Sequence, residues 1–339
     1  MRVGKNSFKF EHTYLHSKAV VTGPLEQNGP IGNYFDYCFN DIRCNEKTWE
    51  QAEMALVNKA FEIALARGNL QESDLSYIIG GDLNNQIAVT SYALKDCNIP
   101  YLGMFAACST LTETFLVASI ILDNLLGSNI MCLTSSHNAT SERQFRYPTE
   151  YGGQKPVTST FTATVSGASI LSNIQSDIRI AGGTVGTIED VGMKDAQDMG
   201  RAMAPAAVST LLNHLKDYNR SIDDYDLIVT GDLSTYGSDI FEKICFEHGI
   251  NISSKHIDAG LMLYDTKKQK VFAGGSGCGC VTAVTLGYLV EQMKQKKYRR
   301  ILILATGALL NPIMTAQKLS IPCISHGIIL ERSDYNELS

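Results

Sequence analysis

Residues 53–82, EMALVNKAFEIALARGNLQESDLSYIIGGD, are answered by residues 203–232, MAPAAVSTLLNHLKDYNRSIDDYDLIVTGD. Each stretch is an amphipathic helix pattern, a polar turn and an apolar run ending in Gly-Asp, and the closing aspartates, Asp82 and Asp232, stand 150 positions apart. The echo continues downstream. FAACSTLTETFLVASIIL (105–122) matches GGSGCGCVTAVTLGYLV (274–290), small residues and cysteine opening an apolar helix, with Cys108 and Cys278 170 positions apart. NIMCLTSSH (129–137) matches RILILATGA (300–308), and TATVSGASILS (162–172) matches IPCISHGIILE (321–331). The second copy therefore carries an insertion. Four matched segments in one order are two copies of one unit, because a solenoid would need shorter and more numerous periods.

Each unit reads helix, strand, helix, strand, strand. The runs YIIGG, DLIVTG and RILILATG are continuously apolar, as strands buried on both faces should be. The helices after Cys108 and Cys278 are apolar nearly all round, which predicts burial between two sheets. The alternation predicts an α/β fold with mostly parallel sheets, in two halves spanning 1–172 and 173–339. A dinucleotide site is excluded because no acidic residue follows GGSGCGC at the required distance, and no phosphate-binding GxxxxGK[ST] occurs.

With 339 residues, 44% hydrophobic and 19% charged, the chain can bury one large core or two fused smaller ones. The net charge is -6 and the basic residues are dispersed except in QMKQKKYRR (292–300), which argues against nucleic acid as a partner. That cluster, Lys294 to Arg300, reads either as a contact for anionic lipid headgroups or as a solvated helix end. Nine cysteines without framework spacing, and an N-terminus (MRVGKNSFKFEH) lacking the apolar core of a signal peptide, predict an intracellular, reducing setting. The longest apolar runs, such as ILILATGALL (301–310), fall short of the ~20 residues a spanning helix needs, so any membrane association is expected to be peripheral or through partners.

Two fused halves, each with a small-residue turn opening a central helix, resemble the thiolase-like superfamily of thiolases and ketoacyl synthases. The resemblance implies two duplicated βαβαβ-type halves in a layered αβαβα architecture, a homodimer, and a nucleophilic cysteine where AACSTL places Cys108. A helix N-terminus there would stabilise a thiolate and could supply an oxyanion hole. Condensing enzymes of that superfamily also need a histidine after a second-half strand and a His or Asn in a later turn. Aligned on the duplication, those positions carry Gly231 and Asp232 in TGDLSTYGS, and Ser276 or Cys278 in GGSGCGC. The departures put condensation in doubt, and no catalytic residue, cofactor or metal site is assigned.

Longer stretches narrow the likeness. GPLEQNGPIGNYFD (23–36), SSHNATSERQFRYPTEYGGQKP (135–156), AQDMGRAMAPAA (196–207), VFAGGSGCGC (271–280), ATGALL (305–310) and SIPCISHG (320–327) resemble the stage V sporulation protein AD family of spore-forming bacteria. The resemblance implies a non-enzymatic protein that binds dipicolinic acid, possibly with calcium. It also implies work beside membrane-embedded sporulation proteins, peripheral to the inner membrane of the forespore, in moving calcium dipicolinate into the spore. The alternative is a thiolase- or ketoacyl-synthase-type acyltransferase using Cys108.

Dipicolinate is a planar aromatic dianion, so its site needs cations or N–H donors for two carboxylates and a flat apolar slot. Two helix N-termini, at Cys108 and Cys278, favour anions, with Asp232 and Ser276 beside them. The cationic candidates are His137, Arg143, Arg146, Lys155, Lys255 and His256. Arg143 and Arg146 could share a helix face toward the ligand or lie on a solvated loop or subunit contact. His137 follows a strand end, where α/β sites gather, and reads as a ligand contact or as a loop anchor. His256 with Asp258 is either an oriented imidazole or a surface turn. Cys278 and Cys280 form a lone CxC, too little for zinc, and the six remaining cysteines read as core or incidental. Cys108 itself is nucleophile, ligand contact or packing.

Overall fold

The computed structural model describes residues 1–145 and 154–334. Its first half runs β1 (Tyr14–Thr22), α1 (Trp49–Gly68), β2 (Tyr77–Gly81), β3 (Tyr101–Gly103), α2 (Thr110–Asp123), β4 (Asn129–Ser136), α3 (Asn138–Phe145) and β5 (Val165–Ser172). The second repeats it with β6 (Ile178–Thr184), α4 (Met199–Tyr218), β7 (Leu227–Thr230), α5 (Ser234–Glu247) and β8 (His256–Asp258). There follows α6, one helix in three consecutive segments (Cys278–Thr282, a π-helical Ala283–Leu289, and Val290–Lys294), then β9 (Arg300–Ala308) and β10 (Cys323–Arg332).

These strands form one path, β8-β7-β9-β10-β6-β1-β5-β4-β2-β3, so each half has the same internal order and the first strands of the halves meet in the middle. β1 and β6 pair with each other only at Tyr14 and Arg179, and Ser7–Lys9 of the first half adds a three-residue antiparallel ladder to β6. Within each half the sheet is mixed rather than mostly parallel. β2 runs parallel to β3 and β4, and β7 to β8 and β9, whereas β5 and β10 are antiparallel to both of their neighbours. β1 and β6 lie outside the units read from the echo.

Local chemistry repeats with the topology. Thr48 caps α1 by accepting from the Gln51 N–H at 3.3 Å. Helices α1 and α4 both end on an asparagine in the left-handed region, Asn69 (φ 52°) and Asn219 (φ 50°). A capping box follows each, Gln71 with Asp74 and Ser221 with Asp224, before β2 and β7 begin.

The layers follow from the contacts. α1 covers the outer face of β1, β4 and β5, α4 covers β6, β9 and β10, and α2 touches strands of both halves. α6 packs on β1, β4, β5 and β6, so α2 and α6 form the central layer of an αβαβα stack. Phe115 and Leu122 of α2 and Val284 and Leu289 of α6 are fully buried there. Among the described residues no helix is long and apolar enough to cross a membrane.

Several polar groups carried into this layer are paired, although Ser119 Oγ and Thr285 Oγ1 are buried without a partner. Thr110, Thr112 and Thr114 each donate to a carbonyl three residues back, at 2.6, 2.9 and 2.8 Å, and the Thr134 and Thr282 hydroxyls bond across the halves at 2.7 Å. Close approach needs glycine at two strand positions. A Cβ on Gly183 would stand 2.4 Å from Leu116 Cδ2, and one on Gly167 would stand 2.1 Å from Thr282 Cγ2. Thr282 cannot swing aside without breaking its bonds to Thr134 and to the Cys278 carbonyl at 2.6 Å. Gly167→Ala should therefore lower stability by about 1–3 kcal/mol through overpacking, read as a fall in the urea midpoint at unchanged slope. An unchanged midpoint would mean that the helix layer yields more easily than this packing implies.

Candidate functional site: a cleft at two helix N-termini

The ends of β2, β4, β7 and β9 and the starts of α2 and α6 converge on one cleft, where ligands of open α/β sheets gather. The cleft is narrow, with about 50 Å³ of free interior inside about 610 Å³ of non-atom space that takes in its open mouth. Leu83, Phe105, Ala107, Phe145 and Leu310 give it apolar walls; Ser141, Thr162, Gln197, Ser276 and the Gly277 backbone add polar groups, and Cys108 also lines it.

Cys108 sits in a turn that its neighbours hold under strain. Ala107 adopts φ 50°, a left-handed conformation costly for a residue with a Cβ. Thr110 Oγ1 pins the turn by donating to the Ala107 carbonyl at 2.6 Å and accepting from the Ala106 N–H at 3.2 Å. Ser109 Oγ ties it to the second half by donating to the Ala305 carbonyl at 2.8 Å.

The electrostatics correct the expectation of a stabilised thiolate. Burial first, then the Asp232 carboxyl and Cys278, push the Cys108 thiol well above the ordinary cysteine range, against a smaller lowering from the Gly277 N–H. Asp232 is itself buried, and burial raises its pKa well above the usual carboxylate range. Nearby Asp258 adds to that rise, while bonding to Cys108, Gly277 and Cys280 opposes it. Burial thus pushes both the acid and the thiol toward their protonated forms. Asp232 Oδ2 accepts from the Gly277 N–H at 2.8 Å, and Oδ1 has no hydrogen-bond partner.

A second aspartate shapes this arrangement. Asp258 accepts from the N–H groups of Leu233 (3.0 Å), Ser234 (2.8 Å) and Gly260 (2.9 Å), fixing the turn in which Asp232 (φ 68°) and Ser234 (φ 54°) are both left-handed. The first-half counterpart, Asp82, instead binds Asn84 N–H and both polar groups of Thr90, at 2.7–2.8 Å. Its neighbour Glu53 accepts from Ser135, Thr140 and Asn84 at 2.9, 2.7 and 3.1 Å. Burial raises both carboxyls, Glu53 further through its charge repulsion with Asp82.

The structure brings together Cys108, Asp232, Ser276 and Cys278. Ser276 Oγ accepts from Thr160 Oγ1 at 2.9 Å. Cys278 packs behind Cys108 with its thiol donating to the Ser135 carbonyl at 2.7 Å, and burial raises its pKa as well. The cationic candidates do not converge there. His137 is buried, with Nε2 on the Ile42 carbonyl at 2.7 Å and Nδ1 accepting from the Ala139 N–H at 3.1 Å, so both nitrogens serve the loop. Burial lowers its pKa and favours neutral imidazole. Arg143 faces out from α3 and pairs with Glu50.

Lys255 is spent on the Ile222 and Tyr225 carbonyls and Asp223, at 3.1–3.2 Å. His256 sits between Glu242 and Thr230 Oγ1, each at 2.8 Å, outside the cleft lining. Arg146 lies outside the described residues. Lys155 is the exception, since its Nζ stands 2.6 Å from Oε1 of Glu142, a residue of the cleft wall.

The family model of stage V sporulation protein AD matches residues 4–331. Stage V sporulation protein AD of Bacillus subtilis (strain 168) is 48% identical over 331 residues, covering 97% of this chain and 98% of its own. The chain belongs to the stage V sporulation protein AD family. It is thus a sporulation protein on a thiolase-like fold. Solved structures agree on the fold alone: 3-oxoacyl-[acyl-carrier-protein] synthase III of Aquifex aeolicus VF5 superposes with TM-score 0.56 at 13% identity, over 94% of this chain and 99% of the synthase. A cerulenin-bound OleA of Xanthomonas campestris does so with TM-score 0.60 at 11% identity, over 95% and 98%.

Ser141, Gln197 and Thr162 line the cleft although their residue types carry no signal of it. Glu53 did leave one, an acid among the apolar residues of a helix. Among the described residues no group of three or more His, Cys, Asp and Glu side chains is placed to hold a metal ion.

Asp232 makes a pH prediction. Its folded pKa is raised above the unfolded value of about 4, so the native state keeps a proton that the unfolded chain releases. Stability from this group is present below about pH 4 and is lost as pH climbs toward the folded value. Asp232→Asn should remove that loss, so its melting temperature relative to the parent should rise progressively from pH 4 to 8. A constant difference across that range would show Asp232 to be ionised in the folded protein.

Proposed function

We propose that the cleft before Cys108 is a binding site for dipicolinate, and that the chain binds this ligand without transforming it. The observation that carries the non-catalytic half is Cys108 itself, a thiol that burial pushes toward its protonated form beside an acid pushed the same way, with no histidine among the described residues lining the cleft. Nucleophilic catalysis by cysteine needs the thiolate and a base to form it. The identity of the ligand rests on family membership and on the chemistry of the cleft. Phe105 and Phe145 offer flat apolar surface, and Ser141 Oγ is buried, unpartnered and in the lining. Lys155 stands behind the wall in an ion pair with Glu142, and a ligand carboxylate could take the place of Glu142 on it.

Calcium enters as the cation that travels with the ligand, and no protein carboxylates are assigned to it. In this reading the protein hands its ligand to membrane-embedded sporulation proteins at the inner membrane of the forespore, as a homodimer.

Isothermal titration with dipicolinate tests the ligand, with isophthalate (no ring nitrogen) and picolinate (one carboxylate) as controls. Dipicolinate should give heat well in excess of both; equal heats for all three, or none, would overturn the assignment. Cys108→Ala should weaken binding, and Ser141→Ala should weaken it by about 1 kcal/mol, some fivefold, with melting temperature unchanged.

Acyl transfer has its own test. After incubation with a panel of acyl-CoA thioesters, the intact mass should show no adduct on Cys108. A stable adduct present in the parent and lost in Cys108→Ala would establish the acyltransferase alternative.

A further inference from the structure

The two central helices begin at the cleft and end on the opposite face with the same C-cap in chemically different dress. At the end of α2, Leu125 N–H bonds the Leu122 carbonyl at 2.9 Å and Leu126 N–H bonds Ile121 at 3.0 Å. At the end of α6, Lys296 N–H bonds Met293 and Lys297 N–H bonds Gln292, both at 2.9 Å. Leu125 (φ 57°) and Lys296 (φ 64°) are both left-handed. One turn thus presents two leucines, 72% and 67% exposed, and the other presents two exposed lysines.

Both turns lie on one face, because the hairpin between β5 and β6 touches each. Asn173 N–H bonds the Ser128 carbonyl at 3.3 Å, while Gln175, Ser176 and Asp177 line one groove with Lys294 and Lys296. Ile174 at the tip of this hairpin is 58% exposed, extending the apolar patch toward the lysines. By helix length the face is about 20–25 Å from Cys108.

Two features of these turns are unexplained by stability. A left-handed C-cap favours glycine or asparagine, and a leucine there adds backbone strain while exposing apolar surface. Lys296 and Lys297 form no ion pair with a described residue, whereas Lys294 and Arg299 beside them are balanced by Glu291 at 3.6 Å and Asp226 at 3.7 Å. Lys296 shares its groove with Asp177 and Asp334, and Lys297 lies over Tyr298, so their charge is only loosely offset. Exposed leucine and isoleucine tips next to such exposed lysines match the layered chemistry of an anionic bilayer, apolar below a negative surface.

We infer that this face, opposite the cleft, docks on an anionic lipid surface, with Leu125, Leu126 and Ile174 at headgroup depth and Lys296 and Lys297 on the headgroups. The inference is independent of what the cleft binds. Docking in this orientation leaves the cleft about 20–25 Å from the lipid, at the other end of the two helices.

Co-sedimentation of the full chain tests it, using vesicles of equal parts phosphatidylcholine and phosphatidylglycerol against vesicles of phosphatidylcholine alone. The protein should bind the anionic vesicles, release with rising salt, and bind neutral ones weakly. Lys296→Glu with Lys297→Glu should reduce binding about tenfold or more. Leu125→Asn with Leu126→Ser should reduce it about fivefold or more, while Asn at the left-handed position keeps the melting temperature at or above that of the parent. Ile313→Ser, on an exposed apolar residue of another segment, should change nothing. Equal binding to both vesicle types, no loss in either double variant at intact melting temperature, or attachment only when a membrane protein is added would each overturn the proposal.

Discussion

Two helices buried between two sheets set the terms for the rest of the molecule. A helix covered on all sides is under pressure to pair its polar groups within protein, and here several threonines fold back on their own helix or meet across the halves, while Ser119 and Thr285 stay unpartnered. Because α2 and α6 are related by the duplication, their N-termini arrive at one place and their C-termini at another. The cleft is a consequence of that geometry. Strand ends, a strained turn at Ala107 and the mouth of α6 have nowhere else to converge.

What fills the convergence is unusual for a helix N-terminus. The end of a helix ordinarily draws a negative charge, yet the Gly277 N–H is satisfied by a carboxyl that burial keeps toward its neutral form. Cys108, Cys278 and Cys280 surround that carboxyl, and the same burial keeps them protonated. The floor of the cleft is therefore polar, and burial opposes charge on it. Its charge lies at the wall, in the Glu142 and Lys155 pair.

Much of this architecture was legible in the chain, and for identifiable reasons. Strands such as YIIGG and RILILATG are buried on both faces, so nothing but apolar residues is tolerated and the run is visible. The strands β1 and β6 escaped because they carry His16, Ser17 and Lys18, or Arg179 and two glycines, whose burial depends on partners far away in sequence. The antiparallel direction of β5 and β10 has no composition signal at all. At the site, Cys108 and Ser276 could be placed by the duplication, but histidine and arginine could not be sorted by type alone. His137 looks free until the Ile42 carbonyl, 95 positions away, is brought to its ring. Ser141 is the reverse, an unremarkable serine until its hydroxyl is found buried without a partner.

The slight pairing of β1 with β6 bears on how such a chain diverges. Beside that bridge only two short ladders join the halves, Ser7–Lys9 on β6 and Phe161–Thr162 on Gly275–Ser276. The rest of their union is side chains of the central layer, which can be exchanged while backbone ladders cannot. Each half is thereby free to drift on its outer face and in its turns, but a change in the shared layer in one copy must be answered in the other. That is why one C-cap could become leucine and its twin lysine, while Gly167 and Thr282, one from each half, remain locked to each other's size.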